Sequence, residues 1–264
     1  PLPEGIQAAL EHAPLADEQF VEDFEYRQKI GCLLYYMICM KVNICFAVGL
    51  LSRFSNKVNK VAAAGVTHLL HFCYNTRFEV LVLGGLRALI RGFCDSDWAG
   101  CRISRRSVGS FILYLGTGPI DWRSKQHPFV SLSTGEAEFI TMDAPARAIV
   151  ALRSFLKDTK IKRIITSFAS TLFTDSTVAE TIASNQSQSD RTKHIAIKYH
   201  FIRELQLMGV IVTDHVDGKV NPADIGTKVL GKKIHEPLSE MAMGRGTLVV
   251  SSKRVKTVIS DDFA

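Results

Sequence analysis

From residue 89 to residue 230, short apolar runs alternate with longer amphipathic ones. That order restricts the chain to an α/β sheet covered by helices. Strands are expected at 89–95, 108–115 and 119–123, with Gly116 and Gly118 marking the turn between the second and third. A long helix is expected from about 134 to 157, with Ser133 or Thr134 as N-cap and Glu136 and Glu138 in its first turns. Pro145 predicts a kink in that helix or a shifted start. A strand at 170–174 leads to a helix starting near Ser176. A further helix over 196–208 stops at Gly209, and Val210 to Val216 reads as the fifth strand. Three strands, a helix, a strand, helices and a strand suit a mixed five-stranded sheet.

The preceding region reads as helical. Residues 1–20, with three prolines, read as an irregular lead-in. Tyr26, Ile30, Leu33, Leu34 and Met37 then recur at three- and four-residue steps. A second helix is expected over Ile44 to Phe54, a third over Val61 to Tyr74, and a strand over Phe78 to Leu83. The apolar run from Ile30 to Leu51 raises a membrane question. Lys41 and Asn43 near its centre argue against a span, and Cys39 to Asn43 reads as a break between two helices. After Lys228 the pattern weakens to one short helix within Lys232 to Gly244 and a mobile tail over 245–264. The division is thus 1–88 helical, 89–230 α/β and 231–264 a partly flexible tail.

Of the 264 residues 47% are hydrophobic, enough for a real core, and the formal net charge of +6 favours an acidic partner without identifying one. The six cysteines all fall within the first 101 residues and form no Cys-x-x-Cys pair. With no secretory signal expected at the start, they read as free thiols in a reducing compartment, rather than as disulfides or a zinc site. His194 and His200 match no metal spacing, and no Ser-His-Asp or Cys-His arrangement is visible.

Asp95 ends the first strand, Glu138 lies early in the long helix, Asp175 follows the fourth strand, and Asp224 sits behind Asn221 and Pro222 at an expected helix start. Carboxylates at strand ends and first helical turns can converge at one edge of a sheet. Magnesium takes hard oxygen ligands and keeps several waters, so a few carboxylates suffice. Two such ions about 4 Å apart can activate a water and stabilise the leaving oxygen of a phosphodiester. The chain has 26 acidic residues, so this placement alone does not separate ligands from helix-capping acids. Asp95 and Asp97 point to the same side of a strand, and Glu136 suits a first-turn helix charge, which leaves both pairs open on geometry.

A longer pattern carries a resemblance. Gly92-Phe93-Cys94-Asp95-Ser96-Asp97-Trp98-Ala99-Gly100 is similar to the opening strand of the ribonuclease H domain in copia-type retrotransposon polyproteins. Similar segments follow in the family's order: Arg105-Arg106-Ser107, Gly118 to Lys125, Leu132-Ser133-Thr134-Gly135-Glu136-Ala137-Glu138-Phe139, Arg191-Thr192-Lys193-His194-Ile195, Lys198 to Arg203, and Ala223 to Lys228. Phe46 to Phe54 resembles the connection segment between polymerase and ribonuclease H, although Lys41-Val42-Asn43 stands where the family usually has Arg-Pro-Asp.

The resemblance implies a ribonuclease H-like mixed five-stranded sheet flanked by helices, preceded by a helical connection segment. It assigns Asp95, Glu138, Asp175 and Asp224 as catalytic, metal-binding carboxylates for two Mg²⁺ ions, with Mn²⁺ able to substitute. It favours Asp95 over Asp97 and Glu138 over Glu136. The implied activity is endonucleolytic cleavage of the RNA strand of an RNA–DNA hybrid, leaving a 3′-hydroxyl and a 5′-phosphate. Arg105, Arg106, Ser124, Lys125, Arg191, Lys193 and His194 fall in three basic, hydroxyl-rich segments suited to phosphate oxygens. Ser96, Ser133 and Thr134 are candidate readers of the 2′-hydroxyl. Trp98 and Trp122 read as scaffold aromatics. An upstream polymerase domain of the same polyprotein is the implied partner, since the chain has no Tyr-x-Asp-Asp motif. The implied setting is intracellular, in a cytoplasmic virus-like particle and the nucleus. Alternatives are an integrase- or transposase-type nuclease, or a degenerate or domesticated copy that binds nucleic acid without cutting. Ala196 and Gly226 motivate the last, since the family commonly has Asp and a bulky apolar residue there.

Overall fold

The second strand shows why the sheet has two covered faces. Along β2 (Val108–Leu115), Phe111 and Leu113 point to one side and Ile112 and Tyr114 to the other, and all four are buried. A run apolar on both faces requires a layer above and a layer below. In the computed structural model, which describes residues 2–84, 89–101, 104–159, 169–176 and 193–248, both layers are present.

The strands β1 (Ile90–Asp97), β2, β3 (Gly118–Gln126), β4 (Ser170–Thr174) and β5 (Ile211–His215) form one sheet in the order β3-β2-β1-β4-β5. β1, β2 and β3 are antiparallel in sequence, and β4 and β5 run parallel to β1. This is the mixed sheet that the resemblance implies. Phe93 is level with Phe173, so β1 and β4 finish at the same edge, with Asp95 and Asp175 two residues further along each chain.

One face packs on α6 (Thr134–Asp158) and α7 (Lys193–Leu207). Cys94, Phe111, Leu113 and Leu172 meet Phe139, Met142, Ala146, Ile149, Ile202 and Leu205 there. The other face buries Phe93, Ile112, Tyr114 and Phe173 against Val42, Val216, Ala223, Ile225, Ala242 and Met243. The last two belong to, or directly follow, α8 (Lys232–Ala242). A third core joins α1 (Ile6–His12), α2 (Glu18–Phe24), α3 (Tyr26–Met40), α4 (Cys45–Ser52) and α5 (Lys60–Asn75).

Several expectations are corrected. The lead-in is helical rather than irregular: Leu2, Ile6 and Leu10 insert into the helical core, and Asp17 caps α2 by accepting from the Phe20 N–H at 2.8 Å. Residues 78–83 form no strand. Val82 makes a single backbone bond, to the Met243 carbonyl, and Phe78 and Val80 are exposed, so no ladder forms. Asp224 lies on a 3₁₀ turn, Pro222–Gly226, rather than at the start of an α-helix. Pro145 does not shift the start of α6, which runs from the Ser133 cap to Asp158 with the proline inside it. The helix expected near Ser176 lies outside the described residues.

Lys41 explains the break in the long apolar run. Its ammonium is buried and donates to the Thr76 carbonyl, the Thr76 hydroxyl and Glu79 at 2.9–3.1 Å. A 3₁₀ turn, Val42–Ile44, then separates α3 from α4. Among the described residues, no helix is long and apolar enough to cross a membrane. Trp122 ties the two parts together, donating its indole N–H to the Met37 carbonyl at 3.2 Å.

Candidate active site

Three chain segments deliver carboxylates to the edge where β1 and β4 end. Asp95 is the sixth residue of β1, and Asn221 secures that strand end by donating to the Cys94 carbonyl at 3.0 Å. The other side-chain atom of Asn221, its carbonyl oxygen, accepts from the Ala223 N–H and opens the Pro222–Gly226 turn. Glu138 rides on the second turn of α6, and Asp175 directly follows β4. One carboxylate oxygen from each of Asp95, Glu138 and Asp175 lies within 4.8 Å of the others. Asp224 stands just outside this trio and pairs with Lys228, Oδ1 to Nζ 2.5 Å.

Contacts place the two neighbouring pairs of acids differently. Glu136 is occupied as a cap: its N–H donates to Ser133 Oγ at 3.2 Å, and its own Oε2 accepts from the Leu132 N–H at 2.7 Å. Its side chain therefore points back along the chain, and Glu138 is the acid that meets Asp95. Asp97 folds over Gly100, where an added methyl group would overlap its carboxylate. Asp97 is thus held at the strand end, outside the trio.

The trio is electrostatically expensive to bury without a cation. Burial, then the Asp224 charge, pushes the Asp95 carboxyl up to about 7, against the pull of a 2.6 Å hydrogen bond from the Thr227 hydroxyl. Burial followed by the Asp95 and Asp175 charges pushes Glu138 up to about 10. Asp175 and Asp97 are raised, again mainly by burial. Burial lowers the Lys228 ammonium, but its bond to Asp224 and the nearby acids outweigh that and leave it raised.

Glu138 supplies the test of fit for a metal. Its Oε1 accepts from the Ser96 N–H at 3.1 Å, whereas its Oε2 is buried without a protein partner. Ionised oxygens in the interior require a partner, and three hard oxygens this close together match what magnesium or manganese takes. The residues fit a divalent cation.

The proposed phosphate contacts divide. Arg105 and Arg106 are exposed on a tight turn between β1 and β2, at the same sheet edge as Asp97. The turn is closed by bonds from the Arg105 N–H to the Cys101 carbonyl and from the Cys101 N–H to the Arg106 carbonyl. Lys125 is exposed near the end of β3. Ser124 points to the opposite face, beside Gly49 of α4, so it does not share a surface with Lys125. Lys193 and His194 open α7, and Arg191 lies outside the described residues. Among the candidate hydroxyls, Ser133 is committed to the α6 cap and Ser96 Oγ is buried. Trp98 braces the site from outside, donating to the Ser131 carbonyl at 3.0 Å.

Sequence reasoning passed over Thr227 and Lys228 as individual site residues. The usable signal was their position three and four residues after Asp224, which returns both side chains to it on a helical turn.

No protein-family model matches the chain. Its relatives include the retrovirus-related Pol polyprotein from transposon TNT 1-94 of Nicotiana tabacum, 31% identical over 218 residues. Another is the Pol polyprotein from transposon RE1 of Arabidopsis thaliana, 29% identical over 209 residues. These matches cover 82% and 79% of this chain. The chain is a homologue of one stretch of copia-type retrotransposon Pol polyproteins. It spans only 16% and 14% of the length of these two relatives. Among solved structures it is similar to RNase H1 from Halobacterium salinarum, with 17% identity and a TM-score of 0.38 over 53% of this chain and 94% of that one. It is also similar to the N-terminal RNase H domain of a Mycobacterium tuberculosis protein, with 11% identity and a TM-score of 0.39 over 59% and 99%.

Proposed function

We propose that this segment of a Pol polyprotein is a metal-dependent ribonuclease H that hydrolyses the RNA strand of RNA–DNA hybrids. The observation that carries the reading is the convergence of Asp95, Glu138 and Asp175, with Glu138 Oε2 buried and unpartnered. Asp95, Glu138 and Asp175, bordered by Asp224, would hold the ions, with Mg²⁺ preferred and Mn²⁺ able to substitute. When bound, two divalent ions supply an activated water and neutralise charge at the phosphodiester.

The chain's own residues do the rest. Asn221 and the Thr227 hydroxyl fix the β1 end and the Asp95 carboxylate, so the acids are oriented before a substrate arrives. The Ser133–Glu136 cap fixes the start of α6 and thereby the reach of Glu138. Arg105, Arg106 and Lys125 are exposed cations beside the same edge and would contact backbone phosphates of the hybrid without reading base sequence. The polyprotein relatives support an upstream polymerase domain as the partner in the same chain, acting where reverse transcription produces hybrids: the cytoplasmic particle and the nucleus.

The test is cleavage of a strand-labelled hybrid with Mg²⁺, comparing the chain with Asp175→Asn. Metal-dependent cutting confined to the RNA strand and lost in Asp175→Asn is the expected result. A folded chain that leaves the hybrid intact would overturn the nuclease reading and favour a non-cleaving binder.

A further inference from the structure

Lys228 occupies a position that the nuclease reading does not use. Its Nζ lies 2.5 Å from Asp224 Oδ1, and its charge also acts on Asp95, Asp97, Glu138 and Asp175. The adjacent Thr227 hydroxyl donates its one proton to Asp95 Oδ2 at 2.6 Å, with the Asp224 carbonyl as an alternative acceptor 3.0 Å away. One short turn therefore gives a counter-ion to Asp224 and a hydrogen bond to Asp95, while Glu138 Oε2 has no protein partner. The Lys228 side chain is 45% exposed against 13% for Asp224. The ammonium can thus swing into solvent without opening a cavity, whereas the carboxylate stays in place.

We propose that Lys228 is a placeholder cation, held on Asp224 in the metal-free protein and displaced from it when a divalent ion enters the cluster. The inference rests on the metal-dependent reading above. A lysine ammonium is a compact point charge on a flexible stem, and a half-exposed pair of this kind is weak enough to exchange. It nevertheless competes with a second cation for the same oxygen and repels it. Lys228 therefore relieves the repulsion among the acids in the metal-free state and lowers the affinity of the cluster for metal. Once released, the ammonium stands at the mouth of the site, where a phosphate of the substrate would lie.

The experiment is calorimetric titration of Mg²⁺ into the full chain, with Lys228→Met, Lys228→Gln and Lys228→Arg alongside. The two neutral variants are expected to bind Mg²⁺ at least about fivefold more tightly than the parent, and Lys228→Arg to stay within about twofold of it. In melting experiments the neutral variants are expected to melt below the parent in EDTA, with the gap closing in saturating Mg²⁺. Unchanged or weaker Mg²⁺ binding by both neutral variants, in a parent that does bind it, would show Lys228 to be a fixed support for Asp224 and overturn the proposal alone. A parent that neither binds Mg²⁺ nor gains stability from it would overturn the metal-dependent reading, and this inference with it.

Discussion

Replacing Glu138 with Gln is expected to make the metal-free protein more stable. Glu138 is 7% exposed, and its pKa rises to about 10 from an ordinary 4.5. A carboxyl whose folded pKa lies above its unfolded one stabilises fully below pH 4.5, and that contribution is lost as pH rises toward 10. At pH 7 the unfolded chain has given up a proton that the folded site retains, and the difference of about 2.5 pH units amounts to about 3 kcal/mol. Gln has no such proton to take up. Its carbonyl oxygen can keep the 3.1 Å bond from the Ser96 N–H, and its amide N–H groups face Asp95 and Asp175, where Glu138 Oε2 has no partner. The expected gain at pH 7 is about 2–3 kcal/mol, or roughly 4–10 °C in melting temperature for a chain of this size.

The assay is thermal and urea unfolding in EDTA between pH 5 and 9. The variant's advantage is expected to widen with pH, by up to about 1.4 kcal/mol per unit. Mg²⁺ is expected to narrow the gap, because an ion at a hundred times its Kd adds about 2.7 kcal/mol to the parent and less to a site missing one ligand. A variant less stable than the parent throughout the EDTA series, or one that gains as much from Mg²⁺ as the parent does, would refute the reasoning.

Gly226→Val is expected to destabilise by about 1–3 kcal/mol, because a methyl group there would overlap Ser110 Oγ and sit 3.2 Å from Cys45 Sγ. Urea unfolding measures it, and Ser110→Gly in the same chain is expected to recover part of the loss. Asp95→Asn is expected to abolish hybrid cleavage, whereas Asp97→Asn, removing an acid outside the trio, is expected to keep at least a tenth of it, roughly 1.4 kcal/mol in barrier at most; equal losses in a single-turnover assay would reopen the choice between them. Burial lowers His235 to about 4, so its neutral form contributes stability that is complete above pH 6.5 and lost as pH falls toward 4. Unfolding at pH 4.5 and 7 is expected to show about 2 kcal/mol less acid loss in His235→Phe than in the parent.

The elements with strong periodicity were legible in the sequence. β2 and β4 match the expected bounds, and α6 differs by one residue at its end, because a two-face apolar run and a Ser-x-x-Glu cap are local signals. The errors came where a local signal lacked, or gained, a tertiary partner. Phe78 to Leu83 has strand composition but no strand to pair with, and α1 has a weak pattern but a receptive core. Pro145 left the start of α6 where the Ser133 cap sets it, and apolar packing along the helix offsets the one hydrogen bond that a proline cannot make. At the site, three of the four acids singled out in the sequence, Asp95, Glu138 and Asp175, come together while Asp224 lies just outside, and it is Glu136 rather than Glu138 that the Leu132 N–H recruits. Lys228 was hidden for a different reason: a lysine near an acid is an ordinary surface pair until the sheet brings three more acids beside it.

Gly226 also changes the meaning of the helical region. A glycine there reads as a loosened helix start when only the local sequence is considered. In the fold it is a close contact, with Ser110 of β2 and Cys45 of α4 filling the space a side chain would take. The segment carrying Asp224, Thr227 and Lys228 is thus pressed between the sheet and the N-terminal helices. Further bonds hold the same arrangement: Asn43 donates to Ser239 at 2.8 Å, Tyr114 donates to the Met241 carbonyl at 3.0 Å, and His235 packs edge-on against Phe72. Through them α8 and residues 42–45 support the turn from one side while β1 and β2 support it from the other. A carboxylate cluster this buried and this repulsive keeps its shape only if its backing cannot relax. The helices before the sheet therefore act on the acids through the Pro222–Gly226 turn, by holding it in place.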